Sequence, residues 1–167
     1  GTDGNGTASH LTMELLRERG QFPMEAVQYK GASPLINDIV AGFVPVGITG
    51  LPSAEAQIKA GKLKLIAITT DKDYSGSGYA TIAEQGFPGF AAAPWSGIFA
   101  PKGTPAPVVQ KIAADIKTAM ASPDVVEKLQ TLGLTPMPVT LADFDAELER
   151  ERASWAQAVE ISGAKVQ

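Results

Sequence analysis

The residues best suited to chemistry lie near the start of the chain, in the string Gly4-Asn5-Gly6-Thr7. Glycines allow a backbone to come close to a bound group, and Thr7 is a good N-cap for a helix that begins at Ala8. The first amides of such a helix are free to face a ligand, and the helix dipole favours negative charge there. The string therefore predicts either a seat for an anion or a tight turn before a helix. A phosphate loop is disfavoured because no Gly-Lys-Ser/Thr follows.

His10 is the only histidine of the chain. A catalytic role would require a nucleophile or an acidic partner, and the sequence identifies neither. Two interpretations stay open: His10 faces the cleft and contacts ligand, or it caps and supports the first helical turn.

A second turn between a strand and a helix is predicted at Tyr29-Lys30-Gly31, with Ser33 at the start of the helix. Its amides could serve like those of the first loop, and Lys30 could pair with a carboxylate. The alternative is an ordinary surface lysine on a turn. Trp95, farther along the chain, either forms a wall of the cleft or packs a hinge.

The elements that position these residues alternate between strand and helix. Short apolar strands are predicted at 26–29, 44–48 and 63–69, and amphipathic helices begin at Ala8, near Ser33 and at Pro52. The continuous apolar run of residues 63–68 suits a strand covered on both faces. This rhythm indicates βαβ units with a parallel sheet, and so an α/β fold.

The pattern changes after a further strand predicted at 95–100. The rest is almost all helix: one from 105 to 121, one that begins at Pro123 behind Ser122 and ends near residues 132–133, and one capped by Thr140. The shift alone places a boundary near 99–104.

Composition narrows the class of function. The net charge of −4 argues against a general nucleic-acid or membrane-surface binder, because both need clustered lysine and arginine. The absence of cysteine removes disulfides, thiolate metal sites and a cysteine nucleophile. No apolar run approaches the roughly 20 residues of a membrane helix.

The order and spacing of several short strings resemble the solute-binding receptors of tripartite tricarboxylate transporters, the TctC or Bug family. No single string is diagnostic, but together they extend along essentially the whole chain. They are Gly4-Asn5-Gly6-Thr7 with His10-Leu11 and Glu14, Tyr29-Lys30-Gly31 with Ser33, Leu51-Pro52-Ser53-Ala54, Ile58 to Leu63, Thr81 to Glu84, Pro88-Gly89-Phe90, Trp95, Gly97 and Phe99 to Pro105.

The resemblance implies a type II periplasmic binding protein with two α/β lobes that close on a small carboxylate. It implies a periplasmic receptor, without cofactor, metal or catalytic residues, that delivers its ligand to the large and small membrane subunits of the transporter. Residues 1–98 would form lobe 2 with its βαβ parallel sheet, and residues 99–167 the hinge return and the C-terminal helices of lobe 1. The ligand would contact residues of the two turns, the end of the third strand and the hinge: Gly4, Asn5, Gly6, Thr7, His10, Tyr29, Lys30, Gly31, Ser33, Thr49 and Trp95.

The resemblance also implies that family members carry roughly another domain's worth of chain ahead of the point equivalent to Gly1. Most of lobe 1 lies in that part. Amphipathic helices without a sheet to cover would expose large apolar faces. We therefore expect the missing N-terminal half, or another copy of the chain, to cover the C-terminal helices.

Thr49 bears on the choice of ligand. Family members often carry an acidic and an amide residue at Thr49-Gly50, and an acid there would suit a ligand with an ammonium group. Thr49 offers only a hydroxyl, which predicts a plain carboxylate, such as a di- or tricarboxylate, over an acidic amino acid.

Two alternative functions stay open: the ligand-sensing domain of a regulator, and an α/β enzyme acting on an anionic small molecule. The sequence shows neither a DNA-binding module nor a Gly-x-Ser-x-Gly nucleophile elbow.

Overall fold

The structure, a computed structural model, describes residues 1–74, 76–131, 134–136 and 141–164. The chain forms two compact units. The first contains Gly1–Pro94 together with the chain from Arg150 onward, and the second contains Trp95–Glu149. The predicted division into lobes at residue 98 concerns the architecture of a complete receptor, and it stays a prediction.

The sheet of the first unit consists of parallel bridges. Thr2 pairs with Gln28 on one side and with Ile48 on the other, and Ile68 pairs with Thr81. The predicted strands at 26–29, 44–48 and 63–69 each contribute one bridged residue, so their direction is as expected and their regular pairing is shorter. Thr2 lies at the centre of the first three-residue pairing and is fully buried.

Six α-helices are present in the described part of the chain. Their bounds are α1 Ala8–Gly20, α2 Ala32–Val40, α3 Leu51–Lys59, α4 Ala106–Met120, α5 Pro123–Thr131 and α6 Leu141–Ser162, with a 3-10 turn at Ala83–Gln85. The predicted start of the last helix at Thr140 and the predicted end of α5 at residues 132–133 lie outside the described residues. The strand predicted at 95–100 was wrong, because none of those six residues is bridged to another described residue.

The end of α1 differs from the sequence pattern in an instructive way. Glycine commonly takes the left-handed position after a helix, but Gly20 is still helical and Gln21 takes that conformation, with φ of 50°. The glycine serves packing instead: a Cβ at residue 20 would run into the ring of Phe22. Phe22 in turn stacks edge-on against Phe87, with 5.9 Å between the ring centroids.

The core of the first unit forms between the inner face of α1, the segment around Phe90 and the last turns of α6. Phe90 is 2% exposed and Ala158 is fully buried. Partly buried side chains surround this cluster, which contains Leu11, Leu15, Ile82, Phe90, Ala92 and Ala158. On the other side of the first bridges, Leu35 of α2 is fully buried under Gly1 and Gly47, whose missing side chains leave room for it.

The second unit has a different character. Neither α4 nor α5 has a buried residue, although α4 has a clear apolar face. Val108 and Ile112 on that face are 46% and 42% exposed. Ile112 lines an open groove together with Val109, Ile98 and Phe99, and the last two are even more exposed than Ile112.

Candidate functional site

Several polar loops meet at one edge of the first unit. The bridges are parallel, so the residues after Thr2, Gln28 and Ile48 leave the sheet at the same, carboxyl edge. Binding sites of α/β sheets form at this edge. Each of the three segments leads into a helix, α1, α2 or α3, whose N-terminus therefore lies near it.

The first loop comes very close to the second. The Gly31 N–H donates to the Asp3 carbonyl at 2.9 Å, and a Cβ at residue 4 would lie 3.3 Å from the Tyr29 carbonyl oxygen. Gly4 has φ of +151° and Gly6 has φ of +70°. Glycine is thus needed at residue 4 both for its conformation and for the close approach of the backbones.

The start of α1 satisfies part of its own backbone. Thr7 is the N-cap: its hydroxyl donates to the Gly4 carbonyl at 2.7 Å and accepts from the His10 N–H at 3.4 Å. The Gly4, Asn5, Ala8 and Ser9 amides have no acceptor among the described residues. The predicted N-cap is confirmed, and these backbone donors remain for a ligand.

His10 supports this loop from within. It is 5% exposed, and its Nδ1 accepts from the Gly6 N–H at 3.1 Å. On the other side of the ring, Nε2 lies 3.8 Å from a carboxylate oxygen of Glu14, and the second oxygen of Glu14 pairs with Arg17 at 2.7 Å. An imidazole that accepts at Nδ1 carries its proton on Nε2. Of the two interpretations of His10, the geometry favours support of the loop.

The side chains of the second loop diverge. The Tyr29 hydroxyl donates to the Asp38 carboxylate of α2 at 2.7 Å, and this hydrogen bond raises the pKa of Tyr29. Lys30 and Ser33 are exposed, and Gly31 is the N-cap of α2, with φ of 102° and ψ of 176°. The Tyr29 hydroxyl is therefore engaged by α2, and the backbone of Gly31 remains at the edge beside the first loop.

Thr49 follows the Thr2–Ile48 bridge at the same edge. Its hydroxyl oxygen is buried and has no hydrogen-bond partner in the structure, and the same is true of Oδ1 of Asp3 and Oγ1 of Thr70. Of the two that adjoin the Thr2–Ile48 bridge, sequence reasoning included Thr49 but missed Asp3. The available signal for Asp3 was its position between a buried residue and the glycine loop.

Trp95 belongs to the second unit, where its ring packs against two phenylalanines. The ring centroids lie 5.7 Å from Phe144, in an edge-on arrangement, and 6.4 Å from Phe99. Within this unit Trp95 is part of an aromatic cluster and still 36% exposed. Packing of the segment after residue 94 accounts for these contacts, and a role of Trp95 in ligand binding stays a prediction.

The described residues contain neither a metal-binding cluster nor a membrane-spanning helix. No group of three or more histidine, cysteine, aspartate or glutamate side chains in them could hold a metal ion. None of the helices described has both the length and the apolar character required to cross a membrane.

Comparison with known proteins gives the family. The family model described as "Tripartite tricarboxylate transporter family receptor" matches residues 1–160. A UPF0065 protein in the tcbD-tcbE intergenic region of Pseudomonas sp. strain P51 is 41% identical over 153 residues, which are 88% of this chain and 46% of that protein. Protein BugT of Bordetella pertussis is 32% identical over 162 residues, 96% of this chain and 50% of that protein. The chain thus spans about half the length of these two relatives.

Solved structures agree with the fold expected from the sequence. R. palustris Rpa4515 with adipate matches with a TM-score of 0.71 and 31% identity, over 95% of this chain and 54% of that chain. The periplasmic binding protein BugD matches with a TM-score of 0.62 and 28% identity, over 99% of this chain and 57% of that chain. The predicted α/β fold of the type II periplasmic binding protein class is confirmed by these matches. The chain belongs to the receptor family of the tripartite tricarboxylate transporters.

Proposed function

We propose that this chain is the ligand-holding part of a periplasmic receptor that captures a small di- or tricarboxylate and delivers it to the membrane subunits of a tripartite transporter. The observation that carries the proposal is the start of α1, where the Asn5 and Ala8 amides belong to or directly follow the glycine loop and have no acceptor among the described residues. Such amides, together with the helix dipole, hold an anion without any net positive charge. A carboxylate thereby suits a protein whose net charge is −4.

Two further observations support a carboxylate ligand. The second loop, with the Gly31 backbone and the exposed Lys30, lies beside the first at the same edge, so a cation and a second set of amides are available. A relative, Rpa4515, was solved with adipate, a dicarboxylate. Binding without chemistry is all that this arrangement requires of its residues, and we propose no catalytic role for any of them.

A thermal-shift screen of the complete receptor tests this function. A ligand that binds only the folded state raises the melting temperature as its concentration exceeds Kd. We expect at least one acid among citrate, succinate, glutarate and adipate to stabilise the protein, while the matching diamides do not. If every acid leaves the melting temperature where the diamides leave it, the proposal is wrong.

The proposed function also accounts for the exposed apolar face of α4 in the second unit. We infer that the apolar face of α4 packs against the half of a complete receptor that this chain does not span. Ile98 and Phe99 are 75% and 65% exposed and line one groove with Val109 and Ile112, and a monomer rarely leaves such a continuous apolar surface open. The relatives described above supply the occupant, because each is about twice as long as this chain.

Ile112→Ala distinguishes a covered face from an open one. In the complete receptor a buried isoleucine truncated to alanine should cost about 2–5 kcal/mol of unfolding free energy. In the 167-residue chain alone, where Ile112 is 42% exposed, the loss should be small, since alanine is also the better helix former. Denaturant unfolding of both proteins gives the comparison, and equal losses in the two would contradict the assignment.

A further inference from the structure

We propose that Asp3 and Thr49 form a subsite that recognises a hydrogen-bond-donor substituent, a hydroxyl or an ammonium group, next to a carboxylate of the ligand. The inference rests on the proposed function, because it specifies which carboxylates that site accepts. It also revises the expectation drawn from Thr49 alone, which favoured a plain carboxylate over an acidic amino acid.

The first observation is a pair of buried oxygens without partners. Oδ1 of Asp3 and Oγ1 of Thr49 are both buried, and neither makes a hydrogen bond within the structure. Buried polar atoms are nearly always hydrogen-bonded, and an unpaired carboxylate oxygen is among the most costly exceptions. Functional sites are the places where a folded protein retains such atoms, since a bound group then supplies the missing partner.

The second observation is the register of the bridges. Thr2 pairs in parallel with Ile48, and the Ile48 N–H donates to the Gly1 carbonyl at 3.0 Å. The next residues, Asp3 and Thr49, are therefore neighbours on adjacent chains, and their side chains share one face of the sheet. Thr2 itself points to the other face, where its hydroxyl is paired with Gln28 at 2.5 Å. One residue farther along, at the open edge, the side-chain oxygens of Asp3 and Thr49 have no hydrogen-bond partner.

The third observation identifies what lies on that face. Side chains built at Gly1 and Gly47 would meet Leu35 of α2, and Asp3 and Thr49 lie two residues farther along the same face. They are thus displaced from the middle of α2 towards its start, where the Gly31 N–H bonds to the Asp3 carbonyl. The N-cap Gly31 provides no side-chain cap for α2. The two unpaired oxygens and an uncapped helix start therefore occur together.

The chemistry of the pair selects the substituent. An ionised Asp3 can only accept hydrogen bonds, whereas the Thr49 hydroxyl both donates and accepts. A ligand carboxylate placed directly against Asp3 would meet a like charge, so the group that faces Asp3 must be a donor. A ligand hydroxyl donates to Asp3 and accepts from Thr49; an ammonium group donates to both.

The test is a calorimetric series on the complete receptor at matched chain length. Succinate, malate and aspartate differ only in a hydrogen, a hydroxyl or an ammonium group at one carbon, and glutarate and adipate with their 2-hydroxy and 2-amino derivatives extend the series. At the chain length that binds tightest, we expect a substituted acid to bind at least about tenfold more tightly than the plain one, because a site built for a donor rejects the analogue that lacks it. Comparing the hydroxy with the amino acid shows which donor the protein uses.

Variants assign the preference to the two residues. Thr49→Val removes one oxygen at nearly constant shape and should reduce the preference over the plain acid to less than about threefold, with Asp3→Asn reducing it most for the amino acid. Thr70→Val is the matched control: its hydroxyl is also buried and unpaired, but no bridge joins its segment to that of Ile48 in the described structure, so the preference should persist. Melting curves of all three variants verify folding.

Three outcomes overturn the subsite. The plain acid may bind as tightly as its substituted partners, the preference may survive both Thr49→Val and Asp3→Asn, or Thr70→Val may abolish it equally. Binding of acids in the series with no such preference leaves the proposed function intact and removes only the subsite. Failure of every acid to bind contradicts the proposed function itself, and the subsite with it.

Discussion

Two helix starts at the same edge of the sheet treat their polar groups in opposite ways. At the start of α1, Thr7 caps the helix, Ser9 accepts from the Asp3 N–H, and His10 accepts from the Gly6 N–H. At the start of α2, the N-cap is Gly31 and no side chain caps the helix. The two loops lie side by side, so the difference does not arise from different surroundings.

The contrast indicates that the two helix starts have different roles in one site. The α1 loop makes several hydrogen bonds of its own, which favour a preformed seat with a few donors. The uncapped start of α2 lies near Asp3 and Thr49, whose unpaired oxygens a bound molecule can satisfy. On this view the α1 loop supplies general affinity for a carboxylate and the α2 side supplies selectivity.

The largest expected effect comes from loosening the α1 loop through His10. In His10→Gln the acceptor at Nδ1 is lost and the Gly6 N–H loses its buried partner, whereas the glutamine amide nitrogen can take the place of Nε2 beside Glu14. We expect a loss of about 2–3 kcal/mol of unfolding free energy, measured by urea denaturation, and weaker binding of every acid alike.

His10→Asn is the matched control for that variant. The asparagine oxygen can occupy the place of Nδ1 and accept from the Gly6 N–H, so ligand affinity should be largely restored even though the contact to Glu14 is lost. In the parent protein, long-range nitrogen NMR of the single histidine should show the Nε2–H tautomer. A proton on Nδ1, or equal binding by the Gln and Asn variants, would refute the supporting role.

The next effect concerns the backbone of the α2 loop. Gly31 has φ of 102° and ψ of 176°, a region that is essentially restricted to glycine, and a Cβ there meets nothing within 4 Å. Gly31→Ala should therefore cost about 1–3 kcal/mol through backbone strain alone. Because the strained peptide adjoins Asp3, the preference for substituted acids should also fall, whereas the affinity for a plain acid changes less.

Gly61→Ala is the control that separates the effect of backbone strain on stability from an effect on the ligand site. Gly61 has φ of +69° after α3, and a Cβ there also meets nothing within 4 Å, but it lies at the opposite end of its helix from the sheet edge that binds ligand. We expect a comparable loss of stability in thermal unfolding and no change in ligand preference. A change of preference in both variants would mean that the effect reports stability and has no bearing on the α2 loop.

Local rules predicted the helices of the first unit well, and they predicted the partners across the sheet poorly. Thr7 as N-cap and the start of α1 at Ala8 follow from capping and periodicity, both of which act within one turn. The pairing of Thr2 with Ile48 joins residues 46 positions apart, and a segment of two or three residues carries no periodicity from which to infer it. The subsite of Asp3 and Thr49 depends on that pairing, so the sequence could supply Thr49 as a candidate but not its neighbour.

In the second unit, too, the sequence predicted an element but not the partner that covers it. The apolar periodicity of α4 was correctly taken as a helix face, with the helix at Ala106–Met120. The strand predicted at 95–100 had suitable residues, but it has no pairing partner in the described chain, and Trp95 packs instead against Phe99 and Phe144. Apolar composition indicates that a segment will be covered, and it does not say by what.

The smallest expected effect is a gain, and it tests why α3 also begins at a glycine. Gly50 has φ of −62° and ψ of 128°, an extended conformation that serine adopts readily, and the nearest atom to a Cβ there is Cδ of Pro52 at 4.0 Å. Gly50→Ser should therefore cap α3 and raise the unfolding free energy by a few tenths of a kcal/mol. If the uncapped start next to Thr49 is kept for ligand, the added hydroxyl competes for the first-turn amides and weakens binding while the melting temperature rises. Calorimetry and thermal unfolding on the same variant decide this: stability and affinity that rise together would show that glycine at this helix start has no role in binding, and the contrast with α1 would then be confined to α2.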